Sequence, residues 1–171
     1  MINLGHTVIE GKCWVFGDDI DTDVIIPARY VRLRDITEIA RHAMEPVDEN
    51  FGRLCGPGDI VVGGKMFGTG SSREVAVLVF KVLGVGAIVA ESFGRIFFRN
   101  CINNGIYAIE APGVRSIASS GERLRIELES GRIVNLSKGL EVRAVAIPPM
   151  MRAVVEAGGL VAFLKRKYFG R

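Results

Sequence analysis

Residues 60–109 decide the fold, and they read IVVGGKMFGTGSSREVAVLVFKVLGVGAIVAESFGRIFFRNCINNGIYAI. The stretch contains short apolar runs at 60–62, 87–90 and 106–109, each typical of a buried strand. Between them lie two predicted helices, 73–83 and a second that begins at Ser92 as N-cap; they end at Gly84 and Gly105. Two successive βα units predict parallel strands joined by right-handed crossovers.

The N-terminal flank predicts a strand and a helix around an acidic turn. Residues 7–16 are expected to form the strand, and residues 17–23 the turn. The apolar run 24–26 then reads as extended and is stopped by Pro27. Asp35 and Glu38 form a possible capping box, which predicts a helix that ends at Pro46, and residues 45–57 are expected to be loop.

The last third of the chain changes character. Residues 124–128 and 133–136 alternate apolar with polar side chains around a turn at 130–131, which predicts a half-exposed antiparallel hairpin. A strand at 142–147 and a helix at 150–168, weakened or kinked by Gly158 and Gly159, are expected to follow. With no repeat or linker visible, the sequence predicts one α/β domain spanning 1–171, with an added antiparallel hairpin.

Composition excludes several classes of protein. The 171 residues carry a net charge of +3 and are 49% hydrophobic, which is typical of a globular chain with a sizeable core and gives no electrostatic footprint for nucleic acid. No membrane span is expected, because no uncharged apolar stretch approaches about 18 residues, and the N-terminus does not resemble a signal peptide. Glycine, at 21 residues, is in excess, which indicates tight turns or close backbone approaches.

The cysteines do not predict a metal site in this chain. Cys13, Cys55 and Cys101 are far apart in sequence, and His6 and His42 are the two histidines. Because no ligand spacing is present, we expect no zinc or iron–sulfur centre held by this chain alone. An odd and sparse set of cysteines favours a reducing cytoplasm over secretion.

The strongest functional candidate is the serine loop, which we define as residues 68–74, GTGSSRE. Its glycines allow close backbone approach, its amides attract anions, and Arg73 is able to grip a carboxylate with two parallel bonds. The simpler interpretation is a glycine turn with a serine cap and an exposed arginine. Dinucleotide, P-loop and nucleophile-elbow motifs all fail here, and Ser71 has no obvious base in its own chain.

Two further stretches carry charge in short spacing. The acidic stretch 18–23 begins like a calcium loop but lacks the glycine and the final glutamate of an EF-hand, so a solvated turn is the simpler interpretation. Arg29, Arg32 and Arg34 follow it, either as a solvated edge or as contacts for an anionic substrate. Arg95 and Arg99 lie one helical turn apart in a segment that we interpret as structural.

Three motifs in order, GDDIDTDVIIPARY at 17–30, GTGSSREVA at 68–76 and AESFGRIFFRNCINNGI at 90–106, resemble one family. They are similar to the small subunits of 3-isopropylmalate dehydratase and of homoaconitase, and to the mobile C-terminal domain of aconitase. The resemblance implies a swivelling β/β/α fold and a hydroxy-diacid substrate. It also implies a separate large subunit that holds a [4Fe–4S] cluster through its own cysteines.

The resemblance also implies roles for individual residues. Ser71 matches the family's catalytic base and Asp23 its acidic active-site residue, while Ser72 and Arg73 match residues that hold the substrate carboxylates. A serine alkoxide needs a cradle of N–H donors and positive charge, which Gly68, Thr69 and Gly70, the helix N-terminus and Arg73 are expected to supply.

The chain departs from the family pattern at a few positions. Thr69 replaces a frequent cysteine, Val75 a frequent histidine and Gly94 a usual alanine. In the stretch that selects the substrate, Arg32 favours the extra carboxylate of homoaconitate, whereas Leu33 favours an isopropyl group. Isopropylmalate is the first expectation, because it is the commoner activity of free-standing small subunits. A non-enzymatic anion-binding module is the alternative from another class; a self-sufficient serine hydrolase is disfavoured by the missing histidine.

Overall fold

One sheet of seven strands organises the computed structural model, which describes residues 8–170. The strands are Val8–Val15 (β1), Ile60–Gly63 (β2), Ala87–Ala90 (β3), Tyr107–Glu110 (β4), Arg123–Glu127 (β5), Arg132–Asn135 (β6) and Glu141–Arg143 (β7). Their order across the sheet is β4-β3-β2-β1-β5-β6-β7. The predicted α/β class, with parallel βα units and an added antiparallel hairpin, is confirmed.

Within residues 8–170, eight short helices surround this sheet. They are Thr22–Ile25 (α1), Ile36–Ala40 (α2), Phe51–Leu54 (α3), Val75–Val82 (α4), Arg95–Asn103 (α5), Val114–Ile117 (α6), Pro149–Glu156 (α7) and Leu160–Phe169 (α8), with a 3₁₀ turn at Ala28–Tyr30. Both predicted crossover helices, α4 and α5, are present.

Strand β1 joins two halves of different construction. Its last residues, Cys13 to Val15, pair in parallel with β2, and β2, β3 and β4 continue the parallel half. Its first residues, Val8 to Lys12, pair antiparallel with β5, and β5, β6 and β7 form the antiparallel half. Every residue of β2 and β3 is buried, as expected for strands covered on both faces.

The core lies on both faces of the sheet. On one face a set of edge-to-face aromatic rings packs under α2, α4 and α5, and includes Phe51, Phe67, Phe80 and Phe97. The opposite face buries the inward residues of the hairpin together with α6. Helix α6 is not among the predicted elements. A small third cluster holds α7 against Ile102 of α5.

Three predicted elements in the first third of the chain are wrong in type or length. Val24 and Ile25 are helical rather than extended, because the Asp21 carboxylate accepts a hydrogen bond from the Val24 amide at 2.8 Å and caps helix α1, whereas Ile26 has the extended backbone that the run predicts. The helix predicted to reach Pro46 ends at Ala40. The expected loop 45–57 contains α3, and the start of the first predicted strand, Thr7, lies outside the described residues.

Two other corrections come from glycine positions. Gly94, not Ser92, is the N-cap of α5, and the Ser92 hydroxyl instead accepts a hydrogen bond from the Met66 amide at 2.9 Å. The predicted C-terminal helix is divided into α7 and α8 by Gly158 and Gly159, whose φ values are +91° and +117°. A Cβ at Gly159 would lie 2.6 Å from the carbonyl oxygen of Asn103, so glycine is required there.

Candidate functional site

Three loops meet at the carboxyl edge of the parallel half. They follow β1, β2 and β3, and parallel strands bring such loops to the same edge of a sheet. The Gly68 amide donates to the Ile20 carbonyl at 2.7 Å and the Thr22 amide to the Thr69 carbonyl at 2.9 Å. The Phe67 amide donates to the Ser92 carbonyl at 3.0 Å. Backbone hydrogen bonds therefore hold the serine loop between its two neighbours.

The glycines of the serine loop have different environments. Gly68, at φ +79°, is buried, and a Cβ there would overlap the Phe97 ring. Gly94 packs against the Gly68 backbone, since a Cβ added at Gly94 would lie 2.7 Å from the Gly68 carbonyl oxygen. Gly70, at φ +97°, is exposed. Packing against α5 thus explains Gly68, and Gly70 is the loop glycine that faces solvent.

The Ser71 hydroxyl has one hydrogen-bond partner among the described side chains. It lies 3.2 Å from the hydroxyl of Thr22, where either oxygen is able to donate. Thr22 is only 2% exposed, whereas Ser71 and Ser72 are both exposed. The hydroxyl of the buried Thr22 is therefore within hydrogen-bond distance of Ser71, the candidate base. Sequence reasoning missed Thr22; its signal is a threonine between Asp21 and Asp23 in the acidic stretch.

Arg73 and Asp23 form an ion pair across the two loops. The Arg73 side chain is 31% exposed and that of Asp23 is 63% exposed. A guanidinium has five N–H donors, so Arg73 is able to hold Asp23 and a ligand carboxylate together. The side chains of Thr22, Asp23, Ser71 and Arg73 consequently form one cluster between the two loops.

Backbone donors complete the site. Within residues 8–170, the amides of Gly70, Ser71 and Ser72 donate to no protein acceptor. Helix α4 begins at Val75, four residues after Ser71, so the loop amides rather than the first helical turn are the donors nearest in sequence to the Ser71 hydroxyl. Exposed, unbonded amides beside a guanidinium are suited to an anion.

The other acidic residues of the first loop have separate tasks. Asp18 accepts hydrogen bonds from the Lys65 amide at 2.8 Å and from Arg115 at 3.1 Å, and the Lys65 amide is the main reason that its pKa is lowered. Asp21 caps α1. Asp23 is left as the carboxylate that contacts the serine loop.

Comparison with known proteins assigns the chain to a family. Residues 40–113 match the aconitase C-terminal domain family. The 3-isopropylmalate dehydratase small subunit of Thermodesulfovibrio yellowstonii is 45% identical over 159 residues, covering 93% of this chain and 95% of the relative. That of Sulfurisphaera tokodaii is 48% identical over 160 residues, covering 93% and 94%. The chain belongs to the family of 3-isopropylmalate dehydratase small subunits.

Two relatives from Methanocaldococcus jannaschii extend the comparison within this small-subunit family. An isopropylmalate/citramalate isomerase small subunit is 44% identical over 162 residues, which cover 95% of this chain and 96% of the relative. The crystal structure of a 3-isopropylmalate dehydratase superposes with a TM-score of 0.89 at 41% identity, covering 95% of this chain and 96% of that chain. The resemblance inferred from the three motifs is confirmed.

Arg32 makes no side-chain hydrogen bond to the serine loop among residues 8–170. It is exposed on the turn after the 3₁₀ segment and forms no ion pair with another residue of 8–170. Leu33, its neighbour, is half-buried and packs against the first core cluster. Of these two neighbours, Arg32 is therefore the one presented to solvent.

The cysteines occupy positions unsuited to a shared metal. Cys13 and Cys101 are fully buried in different core clusters, and Cys55 is half-buried. Burial raises the pKa of Cys13 to about 11 and that of Cys55 to about 12. No three metal-ligating side chains come together within residues 8–170.

None of the helices in residues 8–170 has the length and apolar character that a membrane span requires.

Proposed function

We propose that this chain is the small subunit of a hydro-lyase that interconverts 2-isopropylmalate and 3-isopropylmalate. The observation that carries the proposal is the meeting of Ser71, Thr22, Asp23 and Arg73 in a chain of this family. The site supplies a proton acceptor and donors for carboxylates. The three unpaired thiols suit a reducing cytoplasm, where we place the reaction.

In the proposed reaction Ser71 moves the proton. Its alkoxide takes a proton from the carbon next to a carboxylate, and the C–O bond on the neighbouring carbon breaks as the C=C bond of an unsaturated diacid forms. The departing hydroxide takes a separate proton from solvent and leaves as water. Water then adds back with the hydroxyl and the proton exchanged between the two carbons. The proton stays on the Ser71 oxygen between the two halves of the reaction, so it is available for return.

Ser71 is able to act as a base only if its anion is stabilised. A free serine hydroxyl is far too weakly acidic at neutral pH, and preorganised donors are the usual remedy. Thr22 lies 3.2 Å away and is able to donate its hydroxyl hydrogen to the Ser71 oxygen. The unbonded amides of Gly70 and Ser72 and the charge of Arg73 add to that stabilisation.

The remaining residues of the site are proposed to hold the substrate. Arg73 is half-buried and fixed by Asp23, so its free N–H groups have a defined direction in which to bind a carboxylate. Ser72 is exposed beside it and is able to donate to the same group. Asp23 is proposed as the acidic residue of the active site.

A large subunit is required by this proposal. Cys13 and Cys101 are buried in separate clusters, so the described residues of this chain do not fit a [4Fe–4S] cluster. We propose that the large subunit provides it; when bound there, a cluster with an open iron site supplies the Lewis acid that activates the departing hydroxyl. This chain contributes the base and the anion donors.

Substrate choice is tested by a panel of hydroxy-diacids on the complex with a cluster-bearing large subunit, under anaerobic conditions. We expect turnover of isopropylmalate first. Citramalate is included because a relative is named isopropylmalate/citramalate isomerase small subunit, and homoaconitate because Arg32 is exposed. Binding of these acids without turnover of any would instead favour an anion-binding module.

Arg32 is tested in the same assay with a matched control. Arg32→Ala is expected to change the ratio of kcat/KM between isopropylmalate and homoaconitate, because it removes an exposed guanidinium from the selecting turn. Arg34→Ala is the control, since Arg34 is also exposed and also lacks an ion pair within residues 8–170. Equal loss on every substrate in Arg32→Ala would contradict a role in specificity.

A further inference from the structure

Residues 28–34, which we call the selector segment, pack against the first core cluster through Tyr30 and Leu33. The segment carries Arg32, and its side chains at Ala28, Arg29, Val31 and Arg34 are all exposed. Its 3₁₀ turn has no side-chain cap, and its backbone bonds are short-range, from Tyr30 to Pro27 and from Leu33 to Tyr30. Such a segment does not fix the direction of Arg32 by itself.

Glu45, which lies outside the segment, binds it through hydrogen bonds to its carboxylate. Its Oε1 accepts hydrogen bonds from the Arg29 guanidinium at 2.9 Å and from the Tyr30 hydroxyl at 2.8 Å. Its Oε2 lies 2.7 Å from Nδ1 of His42. One carboxylate therefore binds two consecutive residues of the selector segment and joins them to the turn after α2.

Ring contacts reinforce the same junction. The Tyr30 and His42 rings stack with centroids 3.8 Å apart and an interplanar angle of 6°. The Arg29 guanidinium lies 4.6 Å from the Tyr30 ring centroid. The hydrogen bonds from Tyr30, His42 and Arg29 lower the pKa of Glu45, so its charge persists at neutral pH.

The backbone before Glu45 is shaped for this contact. Met44 is fully buried at φ +61°, a conformation that is unusual for a bulky residue. Its amide donates to the Ile25 carbonyl at 2.9 Å, and its own carbonyl accepts from Val47 and Asp48. The turn thus directs Glu45 back toward the selector segment, and unusual conformations of this kind are concentrated at functional places.

We propose that Glu45 is a positioning residue: its carboxylate clamps Arg29 and Tyr30 and so fixes where Arg32 meets the variable group of the substrate. The proposal rests on the proposed function for its consequence, because it assigns Arg32 to substrate selection. The clamp itself depends only on contacts within this chain.

Limited trypsinolysis of the isolated chain tests the clamp independently of activity. Trypsin cleaves after arginine, and the selector segment offers Arg29, Arg32 and Arg34. Glu45→Gln removes the charge that holds the segment, so cleavage there is expected to be about tenfold faster, since proteolysis follows the population of the open form. Glu49→Gln is the control, because Glu49 is exposed and unpaired among residues 8–170. Cleavage after Arg125, in β5, reports global unfolding.

Substrate selectivity of the complex tests the consequence. Glu45→Gln is expected to raise KM for isopropylmalate by about fivefold with kcat nearly unchanged, and to change the isopropylmalate-to-homoaconitate ratio in the same direction as Arg32→Ala. A structural role alone would lower the amount of active enzyme without changing that ratio.

The outcomes separate the two proposals. Selector cleavage at the wild-type rate in Glu45→Gln would overturn the clamp. Faster cleavage with an unchanged substrate ratio would overturn the positioning role. A wild-type complex that turns over none of the acids would overturn the proposed function, and the trypsin experiment would still decide whether Glu45 clamps the segment.

Discussion

The antiparallel and parallel halves of the sheet differ in whether their polar groups bind one another. In the antiparallel half, Arg132 binds Glu127 at 3.3 Å and Glu141 at 2.7 Å. The side-chain amide of Asn135 is buried and its Nδ2 donates to the Ile117 carbonyl at 2.7 Å and to Glu122 at 2.6 Å. Polar groups there bind one another and leave few donors for a ligand.

The carboxyl edge of the parallel half leaves its donors open. The hydroxyls of Ser71 and Ser72 are exposed, and the amides between Gly70 and Ser72 find no acceptor among the described residues. Exposed donors beside a guanidinium that have no acceptor among the described residues are suited to binding an anion. The difference separates the residues that we expect to affect stability from those that we expect to affect catalysis.

Ser71→Ala is expected to have the largest effect of any substitution. It removes the proposed base, so kcat in the complex with the large subunit should fall by about 10³-fold or more. Because Ser71 is exposed, thermal stability and assembly should be unchanged. Steady-state kinetics and size-exclusion chromatography check both statements. Turnover near that of the wild type would remove Ser71 from the mechanism.

Thr22 comes next. Thr22→Val keeps the shape but removes the donor 3.2 Å from Ser71, so kcat is expected to fall by about 10²-fold, as for the loss of one oxyanion donor. The ascending limb of the pH–rate profile should also move to higher pH, because the Ser71 oxygen becomes a less stable anion and is harder to deprotonate. Thr22→Ser retains the hydroxyl and should restore most activity. An equal loss in both variants would indicate packing alone.

Asn135→Ala, in the antiparallel half of the sheet, is expected to affect stability rather than catalysis. It leaves the Ile117 carbonyl and the amides of Ser137 and Lys138 without their partner, so the free energy of unfolding should fall by about 2 kcal/mol. Activity of the folded complex should be unchanged. Chemical denaturation measures the loss, with Asn103→Ala, at an exposed site on α5, as the control. A fall in kcat without a fall in stability would break the separation between the halves.

Glu141→Gln should have the smallest effect. It breaks one of two ion pairs made by Arg132, whose side chain is 42% exposed, so the pair is largely screened by water. A change in Tm within about 2 °C is expected by thermal melting. A much larger change would show that the surface pairs of the antiparallel half act as a cooperative network.

Most of the parallel half could be predicted from local sequence. The strand at 87–90 has the predicted bounds, and α4 and α5 lie within the predicted helices, because buried apolar runs and terminal glycines are local signals. Helix α1 was missed since the hydrogen bond from the Val24 amide to the Asp21 carboxylate caps a short helix in which Val24 and Ile25 lie, against their β preference.

The site was predictable only in part. The serine loop and Asp23 were found from residue type and resemblance, and the structure brings Ser71, Arg73 and Asp23 together. The contact of Thr22 with Ser71 joins residues 49 apart in sequence, and no periodic pattern encodes such a pair. Glu45 was missed for the same reason, since its partners are reached only after the backbone turns at Met44.

In the proposed function this chain supplies half of an active site. This role is tested most directly by titrating the chain into a fixed amount of cluster-bearing large subunit, in the absence of oxygen, while isopropylmalate turnover is measured. The account predicts no turnover by either subunit alone and a rise that saturates at a fixed ratio of the two. Turnover by the large subunit alone that this chain leaves unchanged, or turnover by this chain alone, would contradict it.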